Sequence, residues 1–259
     1  LERWQEIEEF EDDIKKLSEY INNNMWSEKD HFLYDQYADN SLSTTQGIYA
    51  YWALHTDVLP KDRLDALVSH LNDTTKFNRP HRVASLAADN PKYKANGRYW
   101  SGGVWPGTNY MVISGLVDKG YRRLAYDITM NHYNNVLKVF EKTGTFWEYY
   151  APENAEPGFM ARVGWTGLPP IAELIEYIFG IRANVQENNI TLDVNLTDGY
   201  GIDRYPYGAD GLISFKVARR SSADEKPKVT ITTNTPFTLT LMWGDQKIEK
   251  EIKKGTQTV

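Results

Sequence analysis

The hydrophobic period of this chain changes once. Up to about residue 182 the apolar side chains recur at spacings of three and four, the period of helices that bury one face. Beyond it they alternate with polar residues, as in half-buried strands. This pattern predicts a mainly α domain over residues 1–182, then a sandwich-like antiparallel β module over 183–259. A chain of 259 residues is long enough to bury two such cores.

Trp4, Ile7, Phe10, Ile14, Leu17 and Ile21 mark an amphipathic helix over residues 1–21. "STTQGIYAYWALH" reads as a second helix capped by Ser43 or Thr44, and "PKDRLDALVSHL" as a third opening on Pro60. Helices resume from Pro106 and over residues 121–144, each ended by a glycine suited to a left-handed cap. "LPPIAELIEYIFG" is the last, which gives about six helices in all. Two stretches, 72–104 and 145–167, read as irregular, and loops that long inside a compact domain usually carry function. In the β module "NITLDVNL", "GLISFKVAR", "KVTITTN", "FTLTLMW" and "QKIEKEI" are the predicted strands, with a structural role.

Several function classes drop out. Net charge is −6 and no block of Lys and Arg interleaves with aromatics, which argues against a nucleic-acid partner. No apolar run is long enough to span a bilayer, so no membrane partner is expected. The start, "LERWQEIEEF", has no basic leader and no initiator Met, and reads as a processed or truncated N-terminus. With Cys 0 there is neither thiol chemistry nor a cysteine metal site; this fits a reducing cytosol and a secreted chain alike, so the compartment stays open, with a periplasmic or secreted setting slightly favoured over the cytoplasm. The asparagine-rich, cysteine-free composition leans bacterial. His31, His55, His70, His81 and His132 show no ligand spacing, so no metal is expected, and no phosphate cradle or serine elbow calls for a cofactor.

What the chain does carry is rings: Trp 8 and Tyr 17. They crowd in "RYWSGGVWPGTNY", residues 98–110, beside Gly102, Gly103 and Gly107. Two readings compete. The rings are ordinary core, or they are platforms for a flat polar ligand such as a sugar, with bare backbone brought close.

"YWSGGVWPGTNY", "TFWEYYAPENAEPG" and "VGWTGLPPIAELI", in that order, resemble the C-terminal half of the catalytic domain of glycoside hydrolase family 63 and its trehalase-like and mannosylglycerate-hydrolase-like relatives. The likeness spans roughly residues 1–182, by element boundaries good to a few residues. Tyr99, Trp100, Gly102, Val104, Trp105 and Pro106 match the first motif, whereas Ser101 and Gly103 replace its usual arginine and proline. "MWSEKDHFLYD", with Trp26, looks like the family segment that lines the cleft.

The resemblance implies an (α/α)6 toroid, partial here, and inverting hydrolysis of an α-linked glucoside or related oligosaccharide. It places the general base at Glu148, between Trp147 and Tyr149. An inverting glycosidase sets such a base across the sugar from an acid, about 6.5–9.5 Å away. The family's acid belongs to a loop N-terminal to this region, so the other half of the same enzyme is the implied partner. Tyr99, Trp100, Trp105, Asn109, Trp147, Arg162, Trp165 and Trp26 are the expected substrate contacts. Glu153 and Glu156 read as solvated, and Arg79 and Arg82 either meet an anionic sugar or only tie down their loop. Two rival readings remain. One is a carbohydrate-binding fragment that cannot cleave. The other is a subunit that completes a toroid with another chain, which predicts a large exposed apolar face near the N-terminus.

Overall fold

The computed structural model describes residues 3–259. They form two compact units, Leu1–Leu168 and Pro169–Val259.

In the first unit the amphipathic segment is helix α1, Trp4–Asn24. Its apolar stripe is uncovered: Trp4, Ile7, Phe10, Ile14 and Leu17 are 45% to 68% exposed. Only its C-terminal turns are tied down, through Asn22 Nδ2 to the Val58 carbonyl at 2.6 Å and Arg63 Nη1 to the Asn22 carbonyl at 2.8 Å. A two-residue ladder follows, β1 (Trp26–Ser27) against β2 (Phe32–Leu33).

"IYAYWALH" departs from expectation. It is a 3-10 helix over Ile48–His55 with Gly47 at its cap, and neither Ser43 nor Thr44 caps it. The reason is a period of three. Ile48, Tyr51 and Leu54 are fully buried on one side while Tyr49 and Trp52 are exposed on another, which matches a helix of three residues per turn. Helix α2 (Lys61–Ser69) follows Pro60 as predicted. Helices α3 (Pro106–Asp118) and α4 (Arg122–Thr143) pack together, and α3 also packs on the 3-10 helix. Gly115 permits that approach, since a Cβ there would lie 2.5 Å from Leu54 Cβ. Residues 145–167, expected to be irregular, contain a hairpin, β3 (Trp147–Tyr150) with β4 (Pro157–Ala161). Its register shift between Trp147 and Tyr149 and the prolines at 152 and 157 hide any two-residue period.

Within this unit two fully buried histidines face each other, His81 Nε2 to His132 Nδ1 at 2.8 Å. Burial pushes His132 down to about 3 and His81 well below the usual imidazole range, and the His132 ring also disfavours charge on His81. Both are neutral in the fold but take up protons once unfolded, so stability falls as pH drops from about 6.5 towards 3. The expected slope is up to about 1.4 kcal/mol per pH unit per histidine. Urea unfolding of the first unit between pH 7 and pH 5 measures it, and a midpoint independent of pH would contradict the assignment.

From Pro169 on, the second unit opens with all but the first residue of Leu168–Ile178, a π-helix rather than the expected α-helix. Pro169 and Pro170 remove two of its first donors, and the Phe179 N–H bonds the Leu174 carbonyl five residues back. Ile175 and Phe179 pack against the β core. That contact draws the segment into this unit and moves the division from the expected 182 back to 168. Eight strands follow: β5 (Ile181–Asn184), β6 (Asn189–Asp193), β7 (Tyr200–Tyr207), β8 (Gly211–Val217), β9 (Val229–Thr233), β10 (Phe237–Trp243), β11 (Gln246–Ile252) and β12 (Gly255–Thr258). They make two four-stranded sheets, ordered β11-β10-β6-β5 and β12-β9-β8-β7. The module is not wholly antiparallel, because β10 runs parallel to β6. Sequence reading misses three of the eight strands: β5 and β12, each only four residues long, and β7, whose alternation Gly201 and Pro206 interrupt. Buried Arg220 donates to the carbonyls of Val194, Leu196, Ala223 and Glu225, tying the crossover loops together.

Candidate functional site

In the first unit three irregular segments run side by side through main-chain bonds. Gly47 bridges Leu86, the Ser85 N–H donates to the Gly103 carbonyl at 3.0 Å, and Val104 and Tyr150 exchange both of their bonds at 2.9 Å. The aromatic loop is thereby laid against β3 like a further strand. Gly103 is needed for this, since a Cβ there would sit 2.4 Å from the Tyr99 carbonyl oxygen.

The pairing assembles a cluster of rings. Trp100 stacks on Trp105 with centroids 4.0 Å apart and planes within 16°, and Tyr149 leans on Trp105 at 4.6 Å. Tyr99 and Trp165 meet Trp105 edge-on at 5.1 and 5.7 Å, and Tyr49 flanks Trp100 at 5.4 Å. The rings of the motif lie at different depths. Trp105, 1% exposed, is the floor, while Tyr99 (54%), Trp165 (37%) and half-buried Trp100 form the accessible rim. Tyr99 takes a left-handed backbone, φ 51°.

Glu148 lies in β3 beside this floor, and Trp165 Nε1 donates to its main-chain carbonyl at 3.0 Å. Among the described residues two buried polar atoms here have no partner, Glu148 Oε2 and Trp105 Nε1. A buried carboxylate oxygen without a partner is a costly arrangement, of a kind often kept at catalytic sites.

Other expected contacts lie elsewhere. Asn109 is fully buried, with its amide bonded to both main-chain groups of Val83 and to the Trp105 carbonyl, so it is structural. The Trp147 indole donates to Thr143 and packs on the Val136 and Val139 cluster, away from the rim. Trp26 is buried beneath the Arg63 guanidinium, 5.4 Å from its ring centroid, and is not one of the stacked rings. Arg162 is exposed, and its N–H closes the hairpin on the Phe146 carbonyl at 3.0 Å. Arg79 is committed to Glu153, and Arg82 to Asp127 and Asn78, which favours the loop-tying reading of both. Glu153 is not solvated as expected: Arg79 and the Tyr93 hydroxyl hold its carboxyl below the usual carboxylate range. Glu156 is exposed and pairs with Lys142 at 3.0 Å. Sequence reading missed Tyr49 and Tyr149 as ring partners. For Tyr149 a signal existed in its place next to Glu148; Tyr49 had none.

The model of the mannosylglycerate hydrolase MGH1-like glycoside hydrolase domain matches residues 2–166. An uncharacterized protein of Borreliella burgdorferi is 25% identical over 71% of this chain and 42% of its own length. A probable mannosyl-oligosaccharide glucosidase of Schizosaccharomyces pombe is 27% identical over 52% of this chain and 18% of its own. The chain thus spans less than half of either relative. Neutral trehalase from Saccharomyces cerevisiae shares the fold over 61% of this chain and 28% of that one, with TM-score 0.51 and 18% identity. Taken with the ring floor and Glu148 in the matched region, these likenesses show that the chain belongs to the MGH1-like glycoside hydrolase family.

Proposed function

We propose that this chain is the base-bearing, C-terminal part of a longer inverting glycoside hydrolase acting on an α-linked glucoside or related oligosaccharide. The observation that carries the reading is the buried, unpartnered Glu148 Oε2 beside a floor of stacked rings. Glu148 takes a proton from water as the water oxygen attacks the anomeric carbon. The glycosidic C–O bond breaks, and an acid on the opposite face protonates the leaving oxygen. Trp100, Tyr99 and Trp165 border the sugar, because indole and phenol faces suit its apolar C–H face. The acid comes from residues outside this sequence.

The uncovered stripe of α1 supports the second half of the proposal. It runs into a groove of about 520 Å³ lined by Ile14, Leu17, Ile21, Leu33, Tyr49 and Trp52, and contiguous exposed apolar surface of this kind marks an interaction site. Further helices of the same enzyme, completing an (α/α)6 toroid, are the covering proposed here. In this chain alone the double substitution Ile14→Ser and Leu17→Ser should therefore shift unfolding by no more than about 1 kcal/mol, as for two surface positions. A loss of several kcal/mol would mean that the stripe is already packed.

The function itself is tested by monosaccharide release from a panel of α-linked disaccharides, with this chain alone and with Glu148→Gln. Turnover by this chain alone that vanishes in the variant keeps Glu148 as the base and overturns the placing of the acid outside this sequence. No turnover, but sugar binding that depends on Trp100, supports a half site. Neither turnover nor binding sinks the proposal.

A further inference from the structure

Three stretches of chain converge on one carboxylate behind the ring stack. Arg79 grips Glu153 with two parallel bonds, Nε to Oε1 at 2.7 Å and Nη2 to Oε2 at 2.9 Å, and the Tyr93 hydroxyl donates to Oε1 at 2.6 Å. Arg79 Nη1 also donates to the Thr74 carbonyl. Paired forks of this kind fix orientation as well as charge, and both partners are mostly shielded, with side chains 22% and 27% exposed.

Each arm leads to part of the site. Glu153 stands in the turn that joins β3 to β4, five residues after Glu148, and that turn is closed by Ala155 N–H to the Ala151 carbonyl at 3.0 Å. The Tyr93 ring packs against Gly102, where a Cβ would come within 2.8 Å of it. The loop between them is drawn shut by Lys94 N–H to the Ser101 carbonyl at 2.7 Å. Trp100 rides on that loop, whereas Trp105 follows Val104, which is paired with β3. The stack of Trp100 on Trp105 is therefore a joint between two pieces of chain, and Glu153 is where those pieces are pinned together.

We propose that Arg79, Glu153 and Tyr93 form a positioning clamp that holds the Trp100 loop in register with the Glu148 hairpin. None of the three touches the rim of the ring floor; they act through Gly102 and the β3–β4 turn. The value of the clamp to catalysis rests on the reading of Glu148 given above, but its mechanical part is read without any sugar.

Two indoles stacked 4.0 Å apart couple their electronic transitions, giving a paired positive and negative band in far-ultraviolet circular dichroism. Trp100→Phe identifies that band by difference. In Glu153→Gln and Arg79→Gln the couplet should lose half or more of its amplitude at a temperature well below unfolding. Arg79→Lys, which keeps the charge and loses the fork, should fall between these and the parent. A residue that only added stability would lower the melting temperature and leave the couplet alone. Glu153→Gln that is folded with its couplet within a tenth of the parent overturns the proposal. Should Glu153→Gln fail to fold, Tyr93→Phe decides, since it removes one hydroxyl and keeps the ring on Gly102; an unchanged couplet there overturns the clamp equally. If the couplet falls in these variants while the parent neither binds nor cleaves sugars, the clamp stands and the glycosidase reading fails.

Discussion

Glu148→Gln should lower the turnover of an α-glycoside by about 10³-fold in any assembly of this chain that cleaves one, with KM changed little, because removing a general base typically forfeits 10²–10⁴ in rate. The substitution is conservative where it matters for folding. Trp165 bonds the main-chain carbonyl of residue 148, not its carboxylate, so the β3 hairpin keeps that tie. Glutamine fills the same space but cannot accept the proton that the attacking water must lose. The KM and kcat split separates this from a binding defect, and the anomeric configuration of the first product, read by NMR, tests inversion in the same experiment. A variant that keeps more than a tenth of the parent rate would remove Glu148 from the role of base.

Trp105→Ala should destabilise the first unit by about 3–5 kcal/mol, the range for emptying an aromatic-sized space in a core. Its indole is 1% exposed and touches Trp100, Tyr149, Tyr99 and Trp165, and each well-oriented ring pair contributes about 0.5–1.5 kcal/mol beyond burial. Trp105→Phe should recover part of the loss. Trp100→Ala removes a half-buried ring and should cost less in stability than in sugar affinity. Urea unfolding followed by fluorescence and by circular dichroism separates the two compact units, which need not unfold together. A loss under about 1 kcal/mol for Trp105→Ala would show that the floor is loosely packed.

The sequence made some of this legible and hid the rest for identifiable reasons. The change of period separated helices from strands, and Pro60, Pro106 and the left-handed caps at Gly120 and Gly144 marked helix ends correctly. Motif order pointed to Glu148 and Trp165, and folding brings them within one hydrogen bond of each other. A list of residues carries no depth, however, so Trp105 and Trp100 looked equivalent when one is floor and the other is partly open. Asn109 looked available because nothing local shows that Val83, twenty-six positions earlier, takes both ends of its amide. The Arg79 and Glu153 pair was invisible for the same reason: its partners lie seventy-four residues apart. Distances of this kind are settled by loop closure, which leaves no periodic trace.

The parallel pairing of β10 with β6 sets the order in which the second unit can be made. β6 ends at Asp193 and its neighbour is not complete until Trp243. At a synthesis rate of about 5–20 residues per second, the β5–β6 hairpin therefore waits roughly 3–10 s after translation before its inner edge is occupied. During that interval Ile190 and Leu192, later fully buried, face solvent on a nascent chain still attached to the ribosome. This module is thus a late-closing one, and a stall in translation after β6 has left the ribosome and before β10 has would expose a sticky strand edge for as long as the stall lasts.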